Sequence, residues 1–134
     1  MYQTNGYSTY KNNSVTYASR EQLLLMLVDG AVKFVKIGRQ GIVDNDVKKS
    51  HEALVRTQDI FSELMVTLDK KAGEWAINMY KVYEFINSEL MKANIKKDLK
   101  ILDAVIPLIE EVRSTWYQAN EIAKRQGSKS KEVM

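Results

Sequence analysis

The scarcity of proline limits the folds open to this sequence more than any other feature. The 134 residues include one proline, Pro107, and 6 glycines, whereas average usage of about 5% would give roughly seven prolines. Proline breaks helices because it removes a backbone N–H and crowds the preceding turn, so a chain with so little of it can form long helices. Apolar residues recur every three or four positions in four segments of about 20 residues, joined by loops of about 3–6 residues. The pattern predicts an all-α fold, an antiparallel up-down four-helix bundle.

One domain with distinct ends is expected. Residues 19–125 would form the bundle. Four of the seven tyrosines fall in the polar segment before it: Tyr2, Tyr7, Tyr10 and Tyr17. A merely solvated tail would hold fewer aromatics, so residues 1–18 are expected to be a short, partly ordered cap that docks on the bundle or on a partner. Residues 126–134 are expected to be a disordered tail.

Helix ends are marked by polar residues with short side chains. Ser19, followed three residues later by Gln22, forms a capping box that predicts the start of the first helix. Asp46 and Asp98 are the expected N-caps of the second and fourth helices. Pro107 falls inside the fourth helix, where we expect it to cause a kink.

Helical spacing predicts one buried stripe on each helix. On the first helix it comprises Leu24, Leu27, Ala31, Phe34, Gly38 and Ile42. On the second it comprises Val47, His51, Leu54, Gln58, Phe61, Met65 and Leu68. On the third it comprises Trp75, Met79, Val82, Ile86 and Leu90, with Tyr80 and Tyr83 beside it.

The first helix has more apolar residues than one stripe can use. Six of them run without a break from Leu23 to Val28, and a helix turning about 100° per residue cannot point all six at one core. The surplus residues outside the stripe are Leu25, Met26, Val32 and Ile37. Large exposed apolar area usually marks a partner site, so these four are candidate partner-binding residues.

Polar residues and glycines on the first two helices have specific interpretations. His51 would be a packed or hydrogen-bonded core residue, or an acid–base group. Gln58 would be a buried hydrogen bonder that fixes helix register. Gly30 and Gly38 would permit close approach of a second helix, or leave a shallow groove for a guest chain.

Catalytic and cofactor sites lack their usual residues. There is no Cys and a single His, which excludes disulfides, thiolate zinc sites and Cys nucleophiles. The Glu-x-x-His signature of di-iron bundles is missing, and "GRQG" at Gly38–Gly41 lacks the lysine and length of a phosphate-binding loop. We expect no enzyme activity, no metal and no cofactor.

Charge and hydropathy point to a soluble, cytoplasmic protein. The formal net charge of +3 is mild, and the cluster of Lys96, Lys97 and Lys100 is more typical of a solvated face than of a nucleic-acid footprint. No segment reaches the roughly 18 apolar residues needed to span a bilayer, and the N-terminus lacks the pattern of a secretory signal. Neither membrane insertion nor a nucleic-acid partner is expected.

Several motifs in one register resemble the flagellar export chaperone family, FliS. They are "AS-x-E-x-L" at Ala18–Leu23, "DGA" at Asp29–Ala31, "LD" at Leu68–Asp69, "AN-x-KKD" at Ala93–Asp98, and the late Trp116. The resemblance runs from about Tyr7 to about Ala119. Arg20 stands where the family often has proline, and Val28 where an aromatic is common.

The resemblance implies a cytoplasmic chaperone that binds the disordered C-terminal segment of flagellin, prevents its premature self-assembly and supports its export by the flagellar type III apparatus, whose gate components are further candidate partners. Tyr7 and Tyr10 match family positions that look important for client binding. The full candidate partner-binding set is Tyr7, Tyr10, Leu25, Met26, Val32, Ile37 and Tyr83. The alternative is a structural or adaptor bundle whose exposed apolar face serves homodimerisation.

Overall fold

Four α-helices account for almost all of the described chain. The computed structural model describes the backbone of residues 17–133 and the side chains of residues 20–126. The elements are α1, Tyr17–Val43; α2, Val47–Thr67; a 3-10 turn, Lys70–Ala72; α3, Glu74–Lys96; and α4, Leu99–Val133. The described residues contain no strand, and the predicted all-α class is confirmed.

The helices form a closed, antiparallel square. Helix α1 packs against α2 and α4, and α3 packs against the same two helices. Antiparallel direction is visible in the side-chain pairs between α1 and α4, because Asp29 meets Arg113 whereas Arg39, further along α1, meets Asp103. The predicted up-down four-helix bundle is therefore confirmed.

Two predicted helix caps are confirmed and one helix start is wrong. The Asp46 carboxylate accepts a hydrogen bond of 3.1 Å from the Lys49 backbone N–H, and Asp98 accepts one of 2.8 Å from the Lys100 backbone N–H. Both satisfy N–H groups that lack a partner in the first turn of a helix. Helix α1, however, begins at Tyr17, so Ser19 lies inside the helix and does not start it.

The buried faces of α2 and α3 are rotated from the predicted stripes. On α2 the buried residues are Ser50, Ala53, Leu54, Thr57, Phe61 and Leu64. His51 is therefore exposed and Gln58 only partly buried, so their predicted core positions are wrong. On α3 the buried residues are Ala76, Tyr83, Ile86, Leu90, Ala93 and Asn94. Trp75 and Val82, predicted to be in the core, are 53% and 39% exposed.

Two glycines on α1 allow α2 to approach it closely. A Cβ built on Gly38 would lie 2.7 Å from Leu54 Cδ2, and one on Gly41 would lie 2.6 Å from the Ser50 backbone nitrogen. Since an added Cβ would have no room at either position, α2 packs directly against the glycine face of α1. The interpretation of Gly38 as a close-approach residue is confirmed, and Gly41 is a second such position.

The ends of the chain are only partly described. Helix α4 is continuous through Pro107 and extends to Val133, past residue 126, where the disordered tail is expected to begin. The kink at Pro107 stays a prediction. Tyr7 and Tyr10, which belong to the expected N-terminal cap, lie outside the described residues.

Candidate functional site

An open groove lies between α1 and α2 and is the best candidate for a binding site. Its volume is about 560 Å³. The lining residues are Phe34 and Ile37 from α1, the N-cap Asp46, and Lys48, Lys49, Glu52, Ala53 and Arg56 from α2. Apolar side chains with charged side chains around them suit an amphipathic guest segment.

Phe34 is held in this groove by two cations. The Arg56 guanidinium lies 4.9 Å from the centroid of the Phe34 ring, and the Lys33 ammonium lies 5.5 Å from it. Both distances are within the range of cation–π attraction. The sequence assigned Phe34 to the core, but the ring is only partly buried, and its neighbour Arg56 was not anticipated because the contact joins two helices.

The four surplus apolar residues of α1 divide between two sides of that helix. Met26 and Ile37 are eleven residues apart, about three turns, and so lie on the same side. Met26 is 65% exposed, and Ile37 is partly buried in the groove wall. Leu25 and Val32, seven residues apart, lie on another side and pack partly buried against the core. None of the four is fully enclosed.

Tyr83 is a core residue and not an accessible contact, so its placement on a partner surface is a wrong prediction. Its side chain is 1% exposed, and its ring meets Phe61 edge-on with centroids 5.8 Å apart. The Trp116 indole N–H donates a 2.7 Å hydrogen bond to its hydroxyl. Burial raises the pKa of Tyr83 to about 12, because the charged phenolate would lose its hydration.

Charged side chains occupy the opposite edge of α1, against α4. The Asp29 carboxylate accepts hydrogen bonds from Arg113 Nε at 2.6 Å and from the Tyr117 hydroxyl at 2.8 Å. Arg39 binds Asp103 through two hydrogen bonds of 2.6 and 3.3 Å, and this contact lowers the pKa of the Asp103 carboxyl. Polar contacts therefore join α1 to α4, whereas the groove lined by Phe34 and Ile37 lies on the α2 side of α1.

A polar cluster joins α2 and α3. Asn94, which is buried, contacts His51 Nδ1 at 3.1 Å and accepts a hydrogen bond from the Lys97 ammonium. Because an ammonium can only donate, the Asn94 oxygen faces Lys97 and the Asn94 amide N–H donates to His51. Desolvation lowers the pKa of Lys97. His51 is hydrogen-bonded, as one interpretation held, but on the surface.

The described residues lack two other kinds of functional feature. Among the described residues, no three His, Asp or Glu side chains come together in a group that could hold a metal ion. Nor does any helix in that part of the chain combine the length and apolar character needed to cross a membrane.

Comparison with known proteins identifies the family. Residues 3–123 match the family of the flagellar protein FliS. This chain belongs to the FliS family. It is 35% identical to the flagellar secretion chaperone FliS of Bacillus subtilis over 126 residues, which span 92% of this chain and 94% of the relative. It is 30% identical to the flagellar secretion chaperone FliS of Salmonella typhimurium over 135 residues, spanning 96% and 100%.

A solved structure shares the fold of this FliS family member. The crystal structure of a flagellar chaperone from bacteria superposes with a TM-score of 0.70, covering 89% of this chain and 98% of that one. The sequence identity is 13%, so this likeness supports the fold alone. The chain thus belongs to a family of secretion chaperones, as the resemblance of its motifs implies.

Proposed function

We propose that this FliS family member binds the disordered C-terminal segment of flagellin, prevents its premature self-assembly and delivers it to the flagellar type III export apparatus. Its relatives are named flagellar secretion chaperones, and a secretion chaperone needs an export substrate. The cytoplasm, where flagellin is made, would be its place of action. Gate components of the export apparatus would be its later partners.

The observation that carries this proposal is the accessible apolar surface of α1 and the groove beside it. Met26 is 65% exposed, and Phe34 and Ile37 line the groove together with Ala53. A disordered client loses conformational entropy when it becomes ordered, so it must bury a large apolar area in return. Such complexes often exceed the standard interface of about 1,600 Å².

In this mechanism the client lies along the bundle in helical and extended pieces. Apolar client side chains enter the groove over Phe34 and Ile37, while Lys48, Glu52 and Arg56 at its margin pair with polar client groups. Filling the groove removes from water the client surface that would otherwise drive filament formation.

The first test replaces Ile37, which lines the groove, and Met26, which is exposed about three turns away on the same side of α1. Met26→Asp combined with Ile37→Asp is expected to weaken binding of a flagellin C-terminal peptide at least tenfold in isothermal titration calorimetry, because each carboxylate would be buried against apolar client atoms. Val66→Asp is the matched control, since Val66 is 84% exposed on α2 and does not line the groove. Its affinity should stay within twofold of the parent chain.

Circular dichroism separates a binding defect from misfolding in this test. Leu25 and Val32 are unsuitable positions, because both pack against the core and a charge there would lower stability. If the groove variant keeps its helicity and still binds the peptide like the parent chain, the assignment of the groove is wrong. If the parent chain itself fails to bind the peptide, the proposed client is wrong.

The N-terminal segment is tested by truncation. Removing residues 1–16, which precede α1, is expected to change the affinity for the flagellin peptide at least several-fold, because Tyr7 and Tyr10 would no longer contribute apolar contacts. The double substitution Tyr7→Ala and Tyr10→Ala should reproduce most of that change by calorimetry. Unchanged affinity in both proteins would refute a role for the segment.

Homodimerisation remains the second candidate function, because α3 also exposes large apolar side chains. Trp75 and Phe85 are each 53% exposed. Light scattering with and without the flagellin peptide distinguishes the two functions. A dimer that dissociates when the peptide binds would indicate that self-association and peptide binding use the same surface. A monomer that binds the peptide would support the chaperone function and not homodimerisation.

A further inference from the structure

The end of α3 and the start of α4 form a surface that the proposed function leaves unused. Within residues 91–100 there are four lysines and one aspartate: Lys92, Lys96, Lys97, Lys100 and Asp98. Met91 and Ile95, one helical turn apart, are next to these lysines in the sequence and are 56% and 76% exposed. We call Met91, Lys92, Ile95, Lys96 and Lys100 the α3-end patch.

Few of these positive charges are neutralised by neighbouring side chains. The Asp98 carboxylate is engaged as the cap of α4, and the Lys97 ammonium points to the Asn94 amide oxygen. Lys92 pairs with Glu89 at 3.3 Å. Lys96 and Lys100 form no ion pair with any side chain that the structure describes. The patch therefore combines exposed apolar groups with cations available to a partner.

The first turn of α2 extends this surface. The contact between His51 and Asn94 places that turn beside the end of α3. Val47, four residues before His51, is 65% exposed. Exposed apolar side chains are thus present at adjoining ends of two helices.

We propose that the α3-end patch docks an acidic, amphipathic segment of a second protein. Its apolar side chains would lie on Met91 and Ile95, and its carboxylates would face Lys96 and Lys100. Complementary charge steers such encounters and disfavours wrong partners. The chain's own ends are poor candidates, because residues 1–16 contain no Asp or Glu and residues 127–134 contain two lysines and one glutamate.

The composition of the patch favours a polypeptide over nucleic acid or lipid. Contacts to phosphate need only cations, and binding of single-stranded nucleic acid also needs aromatic rings on which bases stack. The apolar groups of the patch are Met91 and Ile95, which are not aromatic and which suit apolar side chains of a polypeptide. Membrane-surface helices use Trp, Phe or Leu on one continuous apolar face, which the patch lacks.

The patch also differs from the proposed flagellin site. Groove residues such as Ala53 and Arg56 are on the side of α2 that faces α1, whereas His51 is on the side that faces α3. A defect in the patch should therefore leave flagellin binding intact, and the two proposals can fail separately.

The test compares two double variants with the same change in charge. Lys96→Glu with Lys100→Glu alters the patch, and Lys71→Glu with Lys81→Glu alters exposed lysines elsewhere. The probe is a fluorescein-labelled 16-residue peptide with Leu and Glu at helical spacing, measured by fluorescence anisotropy. The patch variant should bind it at least fivefold more weakly than the parent chain, and the control variant should remain within twofold. Ile95→Ser should weaken binding at least threefold.

Three results would overturn the proposal. Equal losses in both double variants would show that only overall charge matters. Equal binding of a peptide with Gln in place of every Glu would remove the charge complementarity. In the third, the parent chain binds phosphatidylserine vesicles or a DNA duplex more tightly than it binds the peptide. If the patch variant then loses that binding, the patch belongs to another class of partner. Calorimetry with the flagellin peptide checks that the patch variant remains folded and active. Its affinity for that peptide is expected to be within twofold of the affinity of the parent chain.

Discussion

Gly41→Ala should lower the free energy of unfolding by about 2–3 kcal/mol, the upper part of the range for overpacking a close contact. The added Cβ would lie 2.6 Å from the Ser50 backbone nitrogen and 2.9 Å from Ser50 Cα. Backbone atoms cannot rotate away as a side chain can, so α1 and α2 would have to move apart. Thermal melting followed by circular dichroism should show a midpoint lower by roughly 10 °C.

Gly30→Ala is the matched control on the same helix. Its added Cβ would lie 3.3 Å from Ile60 Cδ1, the end of a flexible and partly buried side chain, and in ordinary contact with the Phe34 ring at 4.0 Å. Alanine also favours a helix over glycine by about 1 kcal/mol, so the melting midpoint should be unchanged or slightly higher. A Gly41→Ala protein that melts with or above the parent chain would show that the helices are not seated as closely as described.

A loss of stability in alkaline solution is expected from Tyr83. Burial raises its pKa to about 12 in the folded protein, against a value near 10 for an exposed tyrosine. Between these two values the unfolded chain releases the phenolic proton while the folded chain retains it, so stability falls as pH rises. The full difference of two pKa units corresponds to roughly 2–3 kcal/mol, reached near pH 12.

Tyr83→Phe isolates this contribution from the other titrating groups. At neutral pH the variant should lose about 1 kcal/mol, because the Trp116 N–H loses its acceptor. Between pH 10 and 12 its stability, measured by urea unfolding, should fall less steeply than that of the parent chain. Parallel curves for the two proteins would contradict the assignment of the buried hydroxyl.

Local signals in the sequence were sufficient for the fold class and for two helix caps. The capping aspartates Asp46 and Asp98 act on backbone groups two or three residues away, so no tertiary knowledge was needed. The start of α1 was missed because Ser19 and Gln22 have a capping pattern inside a helix that begins earlier, at Tyr17.

The orientation of helix faces was less predictable, because burial depends on what the neighbouring helix presents. The sequence pattern assigned large residues such as Trp75 to the core. The structure instead buries small residues, Ala53 and Ala76, and leaves Trp75 exposed. Ser50 is buried because Gly41 of another helix leaves room for it. Spacing within one segment carries no information about that glycine.

Residues of the candidate site were predictable only where their position depends on one helix and not on a neighbouring one. Surplus hydrophobicity on α1 predicted that Met26 and Ile37 lie outside the core; Met26 is exposed and Ile37 lines the groove, while their role in partner binding stays a prediction. Arg56 escaped notice because its role depends on the Phe34 ring across the helix pair. Tyr83 was misplaced because a tyrosine beside a stripe gives no sign that a tryptophan on another helix will bind its hydroxyl.

The two edges of α1 differ in how they respond to dissolved ions. Toward α4 the helix is tied by exposed ion pairs, Arg39 with Asp103 and Arg113 with Asp29, each at 2.6 Å. Mobile ions at molar concentration shorten the Debye length to about 3 Å and weaken such pairs. The glycine contact with α2 has no charge to screen. In concentrated brine the α1–α4 edge would therefore lose more of its stabilisation than the glycine contact between α1 and α2.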